Sequence, residues 1–235
     1  MTSSNADQLR QLTLGIGWNV EATLAQFVTG ANADALAALQ GRIGGGVDSL
    51  MLFGAAGTGK THLLQAACRE LAAGTSSYVP LSAMSELSPA LLEGLDAVSL
   101  VALDDVQAIA GRRDWEEAIF HLFNGMRARG GRLLLAARQP PGGLDLALPD
   151  LTSRLQWGLV YRLQPLDEDA LLAALQQRAG QRGLELPPDV GRFLLNRFPR
   201  DSHSLFGLLE TLDQAALAAQ RRLTIPFVRQ VLALP

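Results

Sequence analysis

Gly54-Ala55-Ala56-Gly57-Thr58-Gly59-Lys60-Thr61 combines residue types and spacing suited to one chemistry, the holding of a phosphate chain. Glycine, four free positions and Gly-Lys-Thr follow the apolar run Leu50-Met51-Leu52-Phe53, where a strand should pass into a helix. The glycines let the backbone wrap inward, so that successive amide N–H groups converge on phosphate oxygens. A helix starting at Lys60 adds its first-turn N–H groups and the positive end of its dipole. Lys60 is expected to reach the outer phosphates, Thr61 to offer its hydroxyl to Mg²⁺, and His62 to complete the nucleotide-contacting run. Lys60 is also the only lysine in the chain, every other member of the Lys/Arg set being arginine. A composition that has all but eliminated lysine keeps one where a slim ammonium is wanted.

Four further groups could act with this loop. Leu100-Val101-Ala102-Leu103-Asp104-Asp105 is a buried-strand pattern ending in two carboxylates, some forty residues downstream. Asp104 is expected to hold the metal through water and Asp105 to act as base toward an attacking water. The bland alternative is a pair that caps the helix ahead. Arg138, just past a fourth apolar run, reads either as a sensor of the terminal phosphate or as a solvated loop arginine. Arg154, in Leu151-Thr152-Ser153-Arg154-Leu155, reads as a surface arginine or as a finger projected into a neighbour's nucleotide. Gln11-Leu12-Thr13-Leu14 reads as a short edge strand, or as a linear motif in which Gln11 fixes register while Leu12 and Leu14 enter an apolar pocket.

The elements that must position these groups alternate. Strands are predicted at Ser49–Phe53, Ser77–Leu81, Val98–Leu103, Arg132–Ala137 and Leu159–Leu163. Helices are predicted near residues 60–73, at Pro89–Leu95, and at 114–129 with Asp114 as cap and Trp115, Ile119, Leu122, Phe123 and Met126 on one face. The fold class is therefore α/β, a doubly wound parallel sheet whose ligands gather at the strand C-terminal ends. After Gln164-Pro165 only helical patterns follow, at 167–182, 188–198, 202–220 and 226–234, making a small all-helical domain. The expected division is an arm at 1–20, a nucleotide-binding domain at 21–165 and a helical lid at 166–235.

Bulk properties exclude some functions. The net charge of −3 on 235 residues argues against a protein that wraps DNA or seeks an anionic membrane, a local basic patch staying open. No apolar run of about twenty residues suggests a membrane span. A single cysteine, Cys68, fits a reducing compartment and reads as a small core residue.

Taken together, these motifs resemble an AAA+ domain and, more narrowly, the DnaA family. Phe27-Val28-Thr29-Gly30 is similar to the family's segment beside the adenine, which assigns Phe27 and Val28 to the nucleotide site. Asp104-Asp105-Val106-Gln107-Ala108-Ile109-Ala110-Gly111 is similar to its acid-pair signature, and Ser153-Arg154-Leu155-Gln156-Trp157-Gly158-Leu159 to the block carrying its arginine finger. Leu186–Leu195 and Leu223–Val228 resemble the lid of a short regulatory-inactivator branch of the family. That branch lacks a C-terminal DNA-binding helix-turn-helix domain and begins with a clamp-binding peptide similar to Gln11-Leu12-Thr13-Leu14.

The resemblance implies ADP or ATP with Mg²⁺ as ligands, and the sliding clamp and the DnaA initiator as partners. DNA is then met only indirectly, through the clamp, in a cytoplasmic, nucleoid-associated setting with no membrane. Homo-oligomerisation stays open. The implied function is stimulation of hydrolysis of DnaA-bound ATP by Arg154 donated in trans, resetting the initiator. Two departures bear on the chain's own hydrolysis. Arg138 stands where the family more often has Asp or Asn, and His203, in Arg200-Asp201-Ser202-His203-Ser204-Leu205, falls at the lid sensor arginine. Histidine is shorter and mostly neutral at pH 7, so it reads a terminal phosphate poorly. A nucleotide-binding regulator with at most weak ATPase is expected, the alternative being an active AAA+ ATPase of helicase-loader or initiator type.

Overall fold

A computed structural model of the chain describes residues 22–43, 49–84, 88–199 and 202–233. Gln11, Leu12 and Leu14 lie outside these residues. The chain divides into two compact units, the first running to Ala55 and from Gly59 to Gln164, the second taking Ala56–Thr58 and the chain from Pro165 onward.

In the first unit the described elements are α1 (Ala33–Ile43), β1 (Ser49–Phe53), α2 (Lys60–Arg69), β2 (Ser76–Pro80), α3 (Leu81–Met84), β3 (Leu100–Asp104), α4 (Arg113–Ala128), β4 (Arg132–Ala137), α5 (Pro149–Trp157) and β5 (Leu159–Arg162). The strands form one parallel sheet in the order β2-β3-β4-β1-β5, with Leu50 opposite Leu134 and Leu159. Alternate side chains of each strand point to opposite faces, so a strand covered on both sides needs apolar residues throughout. Met51, Val101, Leu103, Leu133 and Leu135 pack with Trp115, Ile119, Phe123, Leu151 and Leu155 of α4 and α5. Leu50, Leu52, Leu100, Ala102 and Leu134 pack with Ala35, Leu39, Leu63, Leu64 and Ala67 of α1 and α2. Because all strands run the same way, β1 and β3 deliver the phosphate loop and Asp104 to one edge.

Several boundaries differ from the sequence expectation for local reasons. Helix α2 ends at Arg69 and does not continue to residue 73: the Ser76 hydroxyl donates to the Cys68 carbonyl (2.8 Å), and Gly74 turns the chain at φ 83°. The helix expected over Pro89–Leu95 is two short 3₁₀ turns, Pro89–Leu92 and Leu95–Ala97, parted by Gly94 at φ 80°. Asp114 does not cap α4. Arg112 holds the cap position without a side-chain bond, and Asp114 sits within the first turn. The last helix begins at Ile225, capped by the Thr224 hydroxyl on the Phe227 N–H.

Two contacts hold β5 at its two ends. Asn32 accepts from the Gln164 N–H (2.7 Å) and donates to its carbonyl (3.0 Å), clasping the residue before α1 to the chain leaving β5. Gly158, between α5 and β5, has no room for a side chain: an added Cβ would fall 2.2 Å from Ser49 Oγ.

Cys68 is buried on α2, and burial pushes its thiol up to about 12. A raised thiol value means less thiolate at any given pH. Iodoacetamide at pH 8 is therefore expected to label the native protein about 100-fold more slowly than the urea-unfolded chain. Mass spectrometry of timed samples checks this.

The second unit comprises α6 (Glu168–Gln181), α7 (Pro188–Arg197), α8 (Ser202–Ala219) and α9 (Ile225–Val231) around its own core, including Leu171, Leu175, Leu194, Leu205, Leu212 and Val228. Asp167 caps α6 through the Ala170 N–H (2.8 Å), and Arg182 pairs with Glu210 and Asp213 of α8. Among the described residues no helix is long and apolar enough to cross a membrane.

Candidate functional site

The phosphate loop leaves β1 through Gly54 at φ 156°, turns at Gly57 (φ 76°) and enters α2 through Gly59 (φ 90°). These positive angles are open to glycine and strained for other residues. At Gly59 the space is closed as well, since an added Cβ would lie 2.7 Å from the Phe27 ring. Phe27 therefore packs on the loop, and its ring centroid is 6.1 Å from that of His62. His62 is held in turn by the Thr23 carbonyl at 2.8 Å. Val28 follows Phe27, half-buried. Gly59 supplies no side chain to cap α2, which leaves that helix end suited to an anion.

Lys60 is buried and donates to the Gly54 (2.8 Å) and Ala55 (2.7 Å) carbonyls, so the ammonium lies along the loop. Burial pulls its pKa down. The Asp104 and Asp105 carboxylates oppose that shift, while the Arg138 guanidinium adds to it. Thr61 donates to Asp104 Oδ2 at 2.6 Å, and the buried Tyr78 hydroxyl donates to the same oxygen at 2.9 Å. Asp104 Oδ1 accepts the Asp105 N–H at 3.0 Å. Burial pushes the Asp104 carboxyl above its usual range, against the pull of the Thr61 and Tyr78 hydrogen bonds.

Asp105 adopts a left-handed conformation (φ 57°), uncommon for a residue with a side chain. Ser82 donates to its Oδ2 at 2.8 Å, and the Gln107 amide nitrogen donates to its Oδ1 at 2.7 Å. The Gln107 amide oxygen accepts the Arg138 N–H at 3.0 Å, joining the acid-pair loop to the end of β4.

The donor set fits a nucleotide with its cation. The glycine cradle has a conformation that a Cβ would fill or strain. Thr61 and Asp104 present adjacent hard oxygens, and Mg²⁺ takes one or two such protein ligands before completing its shell with water and phosphate. When bound, the cation would polarise and screen phosphate oxygens. Lys60 would then counter phosphate charge, and Asp105 would sit as a fixed acceptor beyond it.

Lys60, Thr61, Asp104, Asp105 and Arg138 are thus brought together, with Phe27 and His62 beside the loop. Arg154 does not join that cluster. Its guanidinium lies over Trp157 (4.0 Å to the ring centroid) and Phe120 (5.7 Å), with no hydrogen bond or ion pair among the described residues. Position 203 falls in α8, and its side chain lies outside the described residues.

Sequence reasoning missed four supporting residues: Tyr78, Ser82, Gln107 and Glu116. Glu116 had a visible signal, standing in the same helical stripe as Ile119 and Phe123. Fully buried, it accepts the Gly111 and Ala147 N–H groups on Oε1 (2.8 and 3.0 Å) and the Leu148 N–H on Oε2 (2.7 Å). Leu148 is the cap residue of α5, so Glu116 ties the start of the Arg154 helix to α4.

Comparisons with known proteins agree with this construction. Residues 167–232 match the family model of the Hda lid domain, and residues 82–162 match that of the bacterial DnaA ATPase domain. Domain III of the Thermotoga maritima initiation protein DnaA superposes with a TM-score of 0.79 at 24% identity, covering 92% of this chain and 97% of that one. AMPPCP-bound DnaA from Aquifex aeolicus gives a TM-score of 0.71 at 26% identity, covering 86% of this chain and 68% of that one. Thermotoga maritima RuvB shares the fold at 17% identity, with a TM-score of 0.69 over 90% of this chain and 71% of that one. A parallel five-stranded sheet, a phosphate loop with an acid pair, and a helical lid region make up the AAA+ fold. Within that class the chain is Hda- and DnaA-like.

Proposed function

We propose that this chain binds ADP or ATP with Mg²⁺ and acts as a regulatory adaptor toward the initiator DnaA. The nucleotide is held by the loop from Gly54 to Thr61, with His62, Phe27 and Val28 beside it, and Asp104 assists Thr61 at the cation. Arg138 and His203 serve as modified sensors, which leaves the chain holding nucleotide more readily than turning it over. Gln11, Leu12 and Leu14 dock on the sliding clamp, so DNA is reached only through that ring. Arg154 is offered to the triphosphate on DnaA and promotes its hydrolysis. The arm at 1–20, the nucleotide-binding domain at 21–165 and the lid at 166–235 divide these tasks.

One observation carries the reading. Arg154 rests on aromatic faces without a carboxylate among the described residues, so its N–H edge is open to a phosphate. The Hda lid match supports the same branch of the family. The test is ATP hydrolysis by ATP-loaded DnaA mixed with clamp on DNA, ADP and this chain. Gln11→Ala combined with Leu14→Ala is expected to lower clamp retention at least about 100-fold, given that hot-spot anchors contribute most of such binding. ADP affinity measured by calorimetry should stay unchanged. Normal clamp retention by that variant removes the docking assignment.

The cluster of Lys60, Thr61, Asp104 and Asp105 favours a second reading, an active AAA+ ATPase. Steady turnover by the isolated chain, undiminished when DnaA is absent, would select it.

A further inference from the structure

We infer that Trp157 is the positioning residue of Arg154: its indole face holds the guanidinium in the orientation offered to a partner's triphosphate. The inference rests on the role of Arg154 proposed above and assigns the means by which that role is carried out.

A half-buried arginine ordinarily meets a carboxylate, and in a chain of net charge −3 acidic groups are abundant. Arg154 meets aromatic rings, with Trp157 at 4.0 Å much nearer than Phe120 at 5.7 Å. A guanidinium held over a ring by cation–π attraction makes no hydrogen bond to a carboxylate there, so its in-plane N–H edge stays unspent. That edge is the one that binds phosphate in bidentate fashion. A carboxylate partner would consume the same edge and cancel the charge.

The geometry is fixed from several directions. Arg154 and Trp157 stand three residues apart on α5, which places their side chains on one helical face. Arg127 of α4 also lies over the Trp157 ring, at 5.1 Å, so the indole has a cationic partner on each of the two helices. The helix is pinned at its start by Glu116 on the Leu148 N–H and at its end by Gly158 against Ser49. Trp157 is nevertheless 58% exposed, while Trp115 is fully buried. An indole left in water contributes little to a core. Here it makes a platform at the surface, beside the charge to be delivered.

The experiment measures stimulated ATP hydrolysis by ATP-loaded DnaA with clamp on DNA, titrating in Trp157→Ala, Trp157→Phe, Arg154→Ala and the double variant Trp157→Ala/Arg154→Ala. Misplacement of a preorganised group by about an ångström costs up to about 100-fold, so Trp157→Ala should lower the maximal rate by about 10- to 100-fold. The half-saturating concentration should move less than about two-fold, and Trp157→Phe, which keeps a π face, should recover most of the rate. The double variant should be no slower than Arg154→Ala alone. Melting temperature and ADP affinity should match the parent. A full maximal rate for Trp157→Ala, with Arg154→Ala inactive, overturns the inference and leaves the finger standing. A raised half-saturating concentration at an unchanged maximal rate overturns it in favour of a partner contact. A lowered melting temperature with lost ADP binding overturns it in favour of a structural role. Unimpaired stimulation by Arg154→Ala removes the underlying reading itself.

Discussion

Arg154→Ala is expected to lower the stimulated hydrolysis of DnaA-bound ATP by about 10³-fold, the range spanned when a transferred guanidinium is withdrawn from a phosphoryl-transfer site. The effect should fall on the maximal rate. Arg154 touches neither Lys60 nor Thr61 through any hydrogen bond, so ADP affinity should hold, and clamp retention, assigned to residues 11–14, should hold too. Arg154→Lys should recover little. An ammonium carries the charge but lacks the planar fork, and it stacks poorly on an indole. Single-turnover hydrolysis, with this chain saturating, isolates the chemical step from binding. A lysine variant that worked as well as the parent would mean that charge alone is being delivered.

Glu116→Ala is expected to destabilise the first unit by about 3 kcal/mol, since it empties a fully buried position and takes the acceptor from three partly buried N–H groups. For a chain of this size that corresponds to a fall in melting temperature of about 10 °C. Glu116→Gln separates charge from shape. Its amide nitrogen would replace one carboxylate oxygen and set a donor against a donor, at the Leu148 N–H or at the pair from Gly111 and Ala147. A loss of about 2 kcal/mol is expected. Hydrogen exchange should quicken first at the amides of Gly111, Ala147 and Leu148. Unchanged exchange there would show that the carboxylate is not their anchor.

Much of this architecture was legible in the residues, and the reason differs by element. Strands β1 and β4 could be bounded to the residue because each is an apolar run opened by one polar residue, Ser49 or Arg132, and closed where Gly54 or Arg138 begins. Helix α2 was overextended because nothing in its alanine-rich tail announces that the Ser76 hydroxyl will take the Cys68 carbonyl. Such a bond joins residues eight apart through a turn, and periodicity does not see turns. The phosphate loop and the acid pair were legible because their chemistry is written in consecutive residues. The supports of the pair were not. Tyr78 and Ser82 come from β2 and the turn of helix directly after it, and they reach Asp104 and Asp105 only once β2 and β3 are in register. Gln107 lies within the acid-pair run, but its link onward to the Arg138 N–H requires β4 beside β3. Arg154 itself was identifiable from its motif, whereas its engagement with Phe120, thirty-odd residues earlier on another helix, required the packing of α4 on α5.

The Asn32–Gln164 clasp has a topological consequence. By joining residues far apart in the chain, it brings the start of α1 and the chain leaving β5 to a single seam. Units whose termini are neighbours are the ones that accept circular permutation and insertion into a host protein. A bridge from beyond Gln164 to the residues ahead of Thr23, long enough to keep Thr23 and Phe27 on the loop, would close the backbone into a ring. Fresh ends could then be opened at an exposed turn such as Gly130, with every strand still running in its present direction.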